Sequence, residues 1–380
     1  MMYRIIVLAI FLMYDWSVYA HDSAVRIGLF YDVPVSSLVI SFPTGGYVVY
    51  GGLADSLVIS GGGTLYATLF DQKIWVRNKT TLLGTYQQIR IMSLVDTSYV
   101  RLRTVDPMGK MAEYQGHIYI DSWQGYLRIV NELDEDRYVA SVAEAEGGSG
   151  APLEFLKTQC IISRTFYYRH GNQHIAEGFF VCDGTHCQAY KGKNTNARVL
   201  TEAARETDGL VIFDQHGTLI EAAFHSNSGG EIQGSESLWL HGMPYLSSRK
   251  DPWSEGGPNY RWESRISLLE WTNYLQNSGF DISRNNLNAL IFKQPSRRSF
   301  YVVGSDSVSF RQIREDFGLR SSFFDVEIEN GMVVLRGRGY GHGIGLSQEG
   351  GIEMAKRGFW FTDIIQYYYP GVTIERFLSR

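Results

Sequence analysis

This chain predicts an α+β fold, a mixed strand-and-helix core preceded by a small N-terminal β-rich domain, on three observations. Residues 25–101 run in short apolar stretches that alternate with polar residues and break at glycine clusters, as strands and turns do. Helical spacing appears in only a few places, chiefly Leu153–His170, Ser267–Gln276 and Gly350–Tyr368. The two kinds of segment do not alternate in βαβ order, so a doubly wound parallel sheet is not expected.

Met1–Ala20 carries Arg4, an apolar run Ile5–Met13 and then Val18-Tyr19-Ala20, the pattern of a secretory signal cleaved before His21. Asp15 ends the run too early for it to span a bilayer of about 30 Å. An export signal is therefore expected at residues 1–20, with an uncleaved anchor as the alternative, and a periplasmic or cell-surface location. No cysteine near Ala20 offers a lipid anchor. Val25–Phe42 reads as strand, turn and strand around Pro34, and Tyr47–Arg101 continues as short strands, so residues 21–113 form the β-rich domain. The core is expected over residues 114–380. It opens with a hairpin at Tyr114–Ile129, and Gly209–Phe224 reads as a second hairpin turning at Gln215-His216-Gly217.

The most informative stretch is Tyr138–Thr165, YVASVAEAEGGSGAPLEFLKTQCIISRT. Glu146 ends an apolar segment and meets Gly147-Gly148-Ser149-Gly150, where a helix continues only at about 1 kcal/mol per glycine. Pro152 suits the first turn of a new helix and Glu154 favours its positive start. Leu153, Leu156, Cys160 and Ile161 then recur at helical spacing, with Gly171 as the stop. Glu146 is thus presented at the end of one element beside the start of another, as a catalytic carboxylate would be. Glu144 lies two residues away, so a frayed end would put both carboxylates on one face.

These residues resemble the core of the stage II sporulation protein D family, the SpoIID/LytB domain, in which a Tyr-Val helix ends in glutamate and a Leu-Glu-x-Leu-Lys-x-Gln helix follows. Here the matching positions are Tyr138-Val139, Glu146, Leu153–Gln159 and Ser163-Arg164-Thr165. CDGTHCQAY at Cys182–Tyr190, FHSNSGG at Phe224–Gly230, PYLSSRKDPW at Pro244–Trp253 and GRGYGHGIGLSQ at Gly337–Gln348 match further family signatures in the same order. Where the family usually has Met-Pro after the glutamate, this chain has Gly147-Gly148.

The resemblance implies a lytic transglycosylase acting on peptidoglycan glycan strands, with Glu146 as sole acid/base and Arg164 orienting sugar or carboxylate. It also implies a substrate groove of His225, Ser226, Ser228, Gly229, Gly230, Tyr245, Tyr340, His342 and Gln348, with Trp253 as a further stacking candidate. A hydrolase would need a second carboxylate, from Glu144, Glu231 or Asp251. The LytB branch implies an alternative, a non-catalytic enhancer of a cell-wall amidase, which would then be a partner.

Cys182 and Cys187, near His174 and His186, fit either a disulfide or a zinc site in an oxidising compartment. The family implies a structural zinc on the cysteine pair plus one histidine, His174 or His186, rather than all four residues. Cys160, on the apolar face of its helix, is expected to be a buried small hydrophobe. A cysteine hydrolase pairing Cys187 with His225 or His342 is the remaining rival, and it lacks a helix start to activate the thiol.

The alternating glycines at Gly337–Gly345 lack the third glycine of a dinucleotide fingerprint, so no nucleotide cofactor is expected. They suggest instead a tight strand whose bare side meets another backbone. A net charge of -5 argues against nucleic acid as a partner. Composition, at 44% hydrophobic and 20% charged, is that of a folded globular chain.

Overall fold

The structure, a computed structural model, describes residues 24–377 apart from 52–54, 60, 238, 240–241 and 283–286. The expected signal sequence and the start at His21 lie outside the described residues. The fold is α+β, with 24 strands and seven helices among the described residues.

Strands β1 (Ala24–Leu29), β2 (Ser37–Phe42), β3 (Tyr47–Gly51), β4 (Asp55–Ile59), β5 (Gly63–Phe70), β6 (Lys73–Arg77), β7 (Leu82–Tyr86), β8 (Gln88–Ser93), β9 (Tyr99–Asp106), β10 (Ala112–Gln115), β11 (His117–Trp123) and β12 (Tyr126–Asp134) make up the N-terminal part. With β13 (Val181–Cys182) they form two sheets, ordered β13-β1-β12-β11-β8-β3-β4 and β10-β9-β2-β5-β6-β7. Period-2 alternation gives each strand one apolar face. Side chains such as Ile27, Ile89 and Ile118 from one sheet and Leu38, Ile40 and Ile74 from the other join a single core. The sheet runs across the expected division at 113/114, because β11 pairs with β8 (Ile118↔Ile91) and β12 with β1 (Ile27↔Asn131).

Helices α1 (Glu135–Gly147) and α2 (Leu153–His170) close one side of that core through Tyr138, Val139, Val142, Leu156 and Cys160. The Asp134 carboxylate accepts from the Arg137 N–H at 3.0 Å to start α1, and Gly148 stops it at φ 83°. α2 has the bounds its spacing predicts. Cys160 is fully buried, and burial pushes its thiol up to about 12, as suits an inert core thiol.

The opposite face of α2 packs into a second core. Phe155, Ile161 and Ile162 meet residues that follow α3 (Ala197–Glu206), among them Ile212 of β14 (Leu210–Phe213) and Ile220 beyond it. The hairpin expected at Gly209–Phe224 shrinks to one bridge, Phe213↔Leu219, around a turn capped by the Asp214 carboxylate. Short strands β15 (Phe224–His225), β16 (Glu231–Ile232) and β17 (Arg249–Lys250) follow.

A third core forms a lobe between them and the C-terminus. It holds β18 (Arg261–Ser267), α4 (Leu268–Asn277), β19 (Phe300–Val303), β20 (Asp306–Ser309), α5 (Phe310–Asp316), β21 (Phe324–Glu329) and β22 (Met332–Arg338) around Trp271, Tyr301, Phe310 and Phe324. Strand β22 runs into the glycine-alternating segment, then β23 (Leu346–Ser347), α6 (Gln348–Lys356), α7 (Phe361–Tyr368) and β24 (Thr373–Arg376), the last paired with β14. The single helix expected over Gly350–Tyr368 is two, broken at Gly358, whose φ of 87° no helix accommodates.

Candidate functional site

Glu146 lies half-buried on the last turn of α1, where the two cores meet through α2. Its Oε1 accepts from the Ala189 N–H at 3.1 Å, and the Gln348 amide donates to its backbone carbonyl at 3.0 Å. Burial raises its carboxyl above the ordinary glutamate value, partly opposed by these donors and by the Lys191 charge. Gly147 permits the close packing, since a Cβ there would stand 2.7 Å from the Phe155 ring. Among the described residues Glu146 has no ion-pair partner. Its neighbour Glu144 differs: α1 stays helical through Gly147, which sets the two about 200° apart around the axis. The Glu144 carboxylate accepts from the Thr195 N–H at 2.9 Å, the Thr195 hydroxyl and the Asn196 N–H at 3.4 Å, ahead of α3. The shared face anticipated for a frayed end does not form.

The two glycine-bearing segments pair with each other at Asn227 and Tyr340, and the second runs into Gln348, whose amide reaches the end of α1. Gly339, Gly341, Gly343 and Gly345 all have positive φ, so the stretch is an irregular alternating loop rather than the expected strand. Its bare side does meet backbone. A Cβ on Gly339 would lie 2.6 Å from the Asn227 carbonyl oxygen and one on Gly345 2.0 Å from that of Ala223. Asn227 and Tyr340 exchange both backbone hydrogen bonds. Tyr340 is 46% exposed at this crossing, the setting a stacking platform needs.

The residues beneath are less open. The Nδ1–H of buried His225 donates to the Ile344 carbonyl at 3.0 Å, and burial holds its pKa well below the usual histidine value. His342 accepts from the Ile344 N–H at Nδ1 and donates from Nε2 to the Phe224 carbonyl, with its pKa lowered to about 4 by burial. Both imidazoles are neutral and set backbone. Ser228 donates to Asp251 at 2.7 Å and caps the Gly230 N–H, while Ser226 accepts from the Asn259 amide at 3.2 Å. Gly229 and Gly230 complete the turn at φ 70° and 91°.

Several expected site residues sit elsewhere. Arg164 is fully buried and binds Glu135, Asp136 (3.0 Å) and the carbonyls of Thr207 (2.7 Å) and Leu210 (3.3 Å). It holds the first turn of α1, about 16 Å along the helix from Glu146, so it is not brought to that carboxylate. Tyr245 is buried, its hydroxyl accepting from the Glu221 N–H and donating to the Met243 sulfur, and is no platform. Trp253 packs between Phe359 and Tyr367. Of the candidate second carboxylates, Asp251 is sealed among Ser228, Ser254 and Tyr368, and Glu231 is engaged by Lys250 and the Arg297 N–H. Sequence reasoning missed Glu349, beside Gln348, which accepts from the amides of Asn227 (2.6 Å) and Asn259 (2.6 Å). Its place in the Gln348-Glu349 pair that opens α6 was the available signal.

His174, Cys182, His186 and Cys187 bring one donor atom each within 4.8 Å of one another. Cys187 Sγ lies 3.4 Å from His174 Nε2 and 3.7 Å from His186 Nδ1, and Cys182 Sγ is 3.8 Å from the latter. Tetrahedral zinc with bonds of about 2.3 Å to sulfur and 2.0–2.1 Å to nitrogen requires S···N separations of about 3.6 Å, so the set fits. All four residues converge, where three were expected. Glu177 accepts from His174 Nδ1–H at 2.8 Å, leaving Nε2 free as a ligand, the usual outer support of a metal-bound imidazole. Hydrogen bonding from Cys187 pulls the Cys182 thiol down toward the thiolate. Neither cysteine is in a disulfide. The neighbours of Cys187 are His174 and His186, while His225 and His342 are committed to backbone, so the cysteine-hydrolase arrangement is not assembled.

The family model described as stage II sporulation protein matches residues 124–213, which hold Glu146 and all four cluster residues. The chain is 30% identical over 275 residues to stage II sporulation protein D of Bacillus amyloliquefaciens, covering 66% of this chain and 78% of that one. It is 29% identical over 271 residues to the protein of the same name from Bacillus subtilis, with the same coverage. It is also 25% identical over 281 residues to the amidase enhancer of Bacillus subtilis, covering 59% of this chain and 38% of that one.

Proposed function

This chain belongs to the stage II sporulation protein D family, and from that premise we propose that it cleaves peptidoglycan glycan strands as a lytic transglycosylase. Family membership supports a cell-wall-related function. One observation carries the finer reading: Glu146 ends α1 half-buried, its carboxyl raised by burial and held at one oxygen by the Ala189 N–H, with no ion-pair partner among the described residues. A single such group suffices when the nucleophile is the C6 hydroxyl of the muramic sugar itself, because an intramolecular attack needs no second carboxylate.

In this reading protonated Glu146 gives its proton to the leaving glycosidic oxygen as the C1–O bond breaks. The C6 oxygen bonds to C1, and its proton passes to the Glu146 carboxylate, restoring the acid without water. The Ala189 N–H fixes one carboxyl oxygen and leaves the other to move the proton. Gln348 positions the end of α1, and Tyr340 offers a sugar-stacking face. Arg164 has no step. His174, Cys182, His186 and Cys187 would hold a structural zinc that pins the segment leading to Ala189. Export by the N-terminal signal remains part of the proposal. Among the described residues no helix is long and apolar enough to cross a membrane.

Similarity to an amidase enhancer favours a second reading, in which the groove binds glycan and a separate amidase does the cutting. Mass spectrometry of products from peptide-free glycan strands in heavy-oxygen water separates the readings. Unlabelled 1,6-anhydro ends support the transglycosylase. Labelled reducing ends would mean hydrolysis, and no cleavage without added amidase would leave the enhancer.

A further inference from the structure

A cleft of about 570 Å³ opens at one end of the N-terminal sandwich, with the rings of Tyr31, Trp123, Tyr126 and Phe179 and the carboxylates of Asp32 and Glu177 in its lining. We propose that it binds an organic cation, an aliphatic di- or polyamine that carries no carboxylate. The proposal is independent of the glycan-cleaving reading.

Three of the rings remain accessible: Tyr31 and Trp123 are each 38% exposed and Tyr126 49%. Trp123 and Tyr126 are direct partners across the β11–β12 hairpin, so their side chains leave the same face side by side. Phe179 is buried and meets the Tyr31 ring edge-on at 6.0 Å. These walls are set before any ligand arrives. The Tyr31 hydroxyl donates to Glu177, and its ring stacks on His186, so the Cys/His cluster braces one side. On the other side Arg128 lies 4.6 Å over the Trp123 ring, which shows that this ring already takes a cation on its face.

Two carboxylates set the charge of the space. Asp32 is exposed and makes no ion pair or side-chain hydrogen bond among the described residues. Glu177 is half-buried and accepts from Tyr31 and His174 through Oε1 alone, which leaves Oε2 open. Arg128, the cation of the lining, is answered by Asp121 at 2.8 Å and by the Glu177 carbonyl at 2.6 Å. Aromatic faces attract cations, and the carboxylates accept from the three N–H bonds of an ammonium group, so rings and acids select the same sign of charge. A hydrocarbon arm between two ammonium groups would lie on the rings, in a volume typical of small-ligand sites. A carboxylate on the ligand would meet two like charges, so amino acids and acidic sugars are disfavoured. A hard divalent ion requires about six to eight oxygen ligands, more than two carboxylates among aromatic rings supply.

The test is titration calorimetry of the full chain at low salt with 1,5-diaminopentane, with lysine, which is the same diamine carrying a carboxylate, and with 1,5-pentanediol, which is the same chain without charge. One diaminopentane should bind per chain, with lysine at least about tenfold weaker and the diol weaker still. Asp32→Asn and Trp123→Ala should each weaken the diamine at least about tenfold, and added salt should weaken it in the parent. Asp32 lies on an exposed turn, so its variant carries the test if Trp123→Ala fails to fold. Diamine binding that Asp32→Asn leaves unchanged overturns the proposal, as does lysine or the diol binding as tightly as the diamine, or no diamine binding at all. Turnover of glycan strands by the cleft variants should equal the parent's, so failure at the cleft leaves the Glu146 reading standing.

Discussion

Replacing Arg164 should cost stability and leave catalysis alone, against the expectation from its sequence motif. Among the described residues the guanidinium is the sole cation paired with Glu135, whose side chain is only 12% exposed, and it also bonds Asp136 and two carbonyls. Removing one partner of a buried ion pair costs about 3–5 kcal/mol, because the other charge is left desolvated. Most of that comes from Glu135 and the Thr207 carbonyl, since Asp136 is 37% exposed and can rehydrate. Arg164→Ala should therefore lower unfolding free energy by about 3–5 kcal/mol. Arg164→Lys keeps a charge but loses the planar fork, and should cost about 1.5–3 kcal/mol. Urea unfolding followed by circular dichroism measures the loss, and turnover on glycan strands is read well below each variant's midpoint. Stability within about 1 kcal/mol of the parent together with a hundredfold lower kcat would refute the structural assignment.

Glu146→Gln should lower turnover at least about a hundredfold. Because burial raises this carboxyl, the native chain loses stability as pH rises from the ordinary glutamate value of about 4.3 through the raised one. The glutamine variant should thus be the more stable at neutral pH and equal to the parent below about pH 4, a comparison that unfolding curves at the two pH values make directly. Metal analysis should find about one zinc per chain, lost in Cys182→Ser/Cys187→Ser, and Glu177→Gln should weaken zinc binding about 10–100-fold in a chelator competition. Metal-free protein with a reduction-sensitive melting point would establish a disulfide instead.

Local physics made part of this protein legible from the chain alone. Glycine breaks, a proline at a helix start and apolar spacing set the ends of α1 and α2, and so placed Glu146 at a helix terminus. Alternating glycines announced a backbone that another backbone approaches, because no side chain fits there. These features depend on neighbours in sequence. Whether Glu146 or Glu144 meets the Ala189 N–H was decided by the helix continuing to Gly147, which turned Glu144 toward Thr195. Arg164 and Tyr245 carry the right chemistry in the right motifs, yet packing buries both, and burial is a property of what other segments cover. The Asn227–Glu349 contact and the Gln348 bond to the end of α1 join residues distant in the chain. Composition and spacing carry no record of such meetings, since they form only when α2, flanked by two cores, and the sheets behind it have packed.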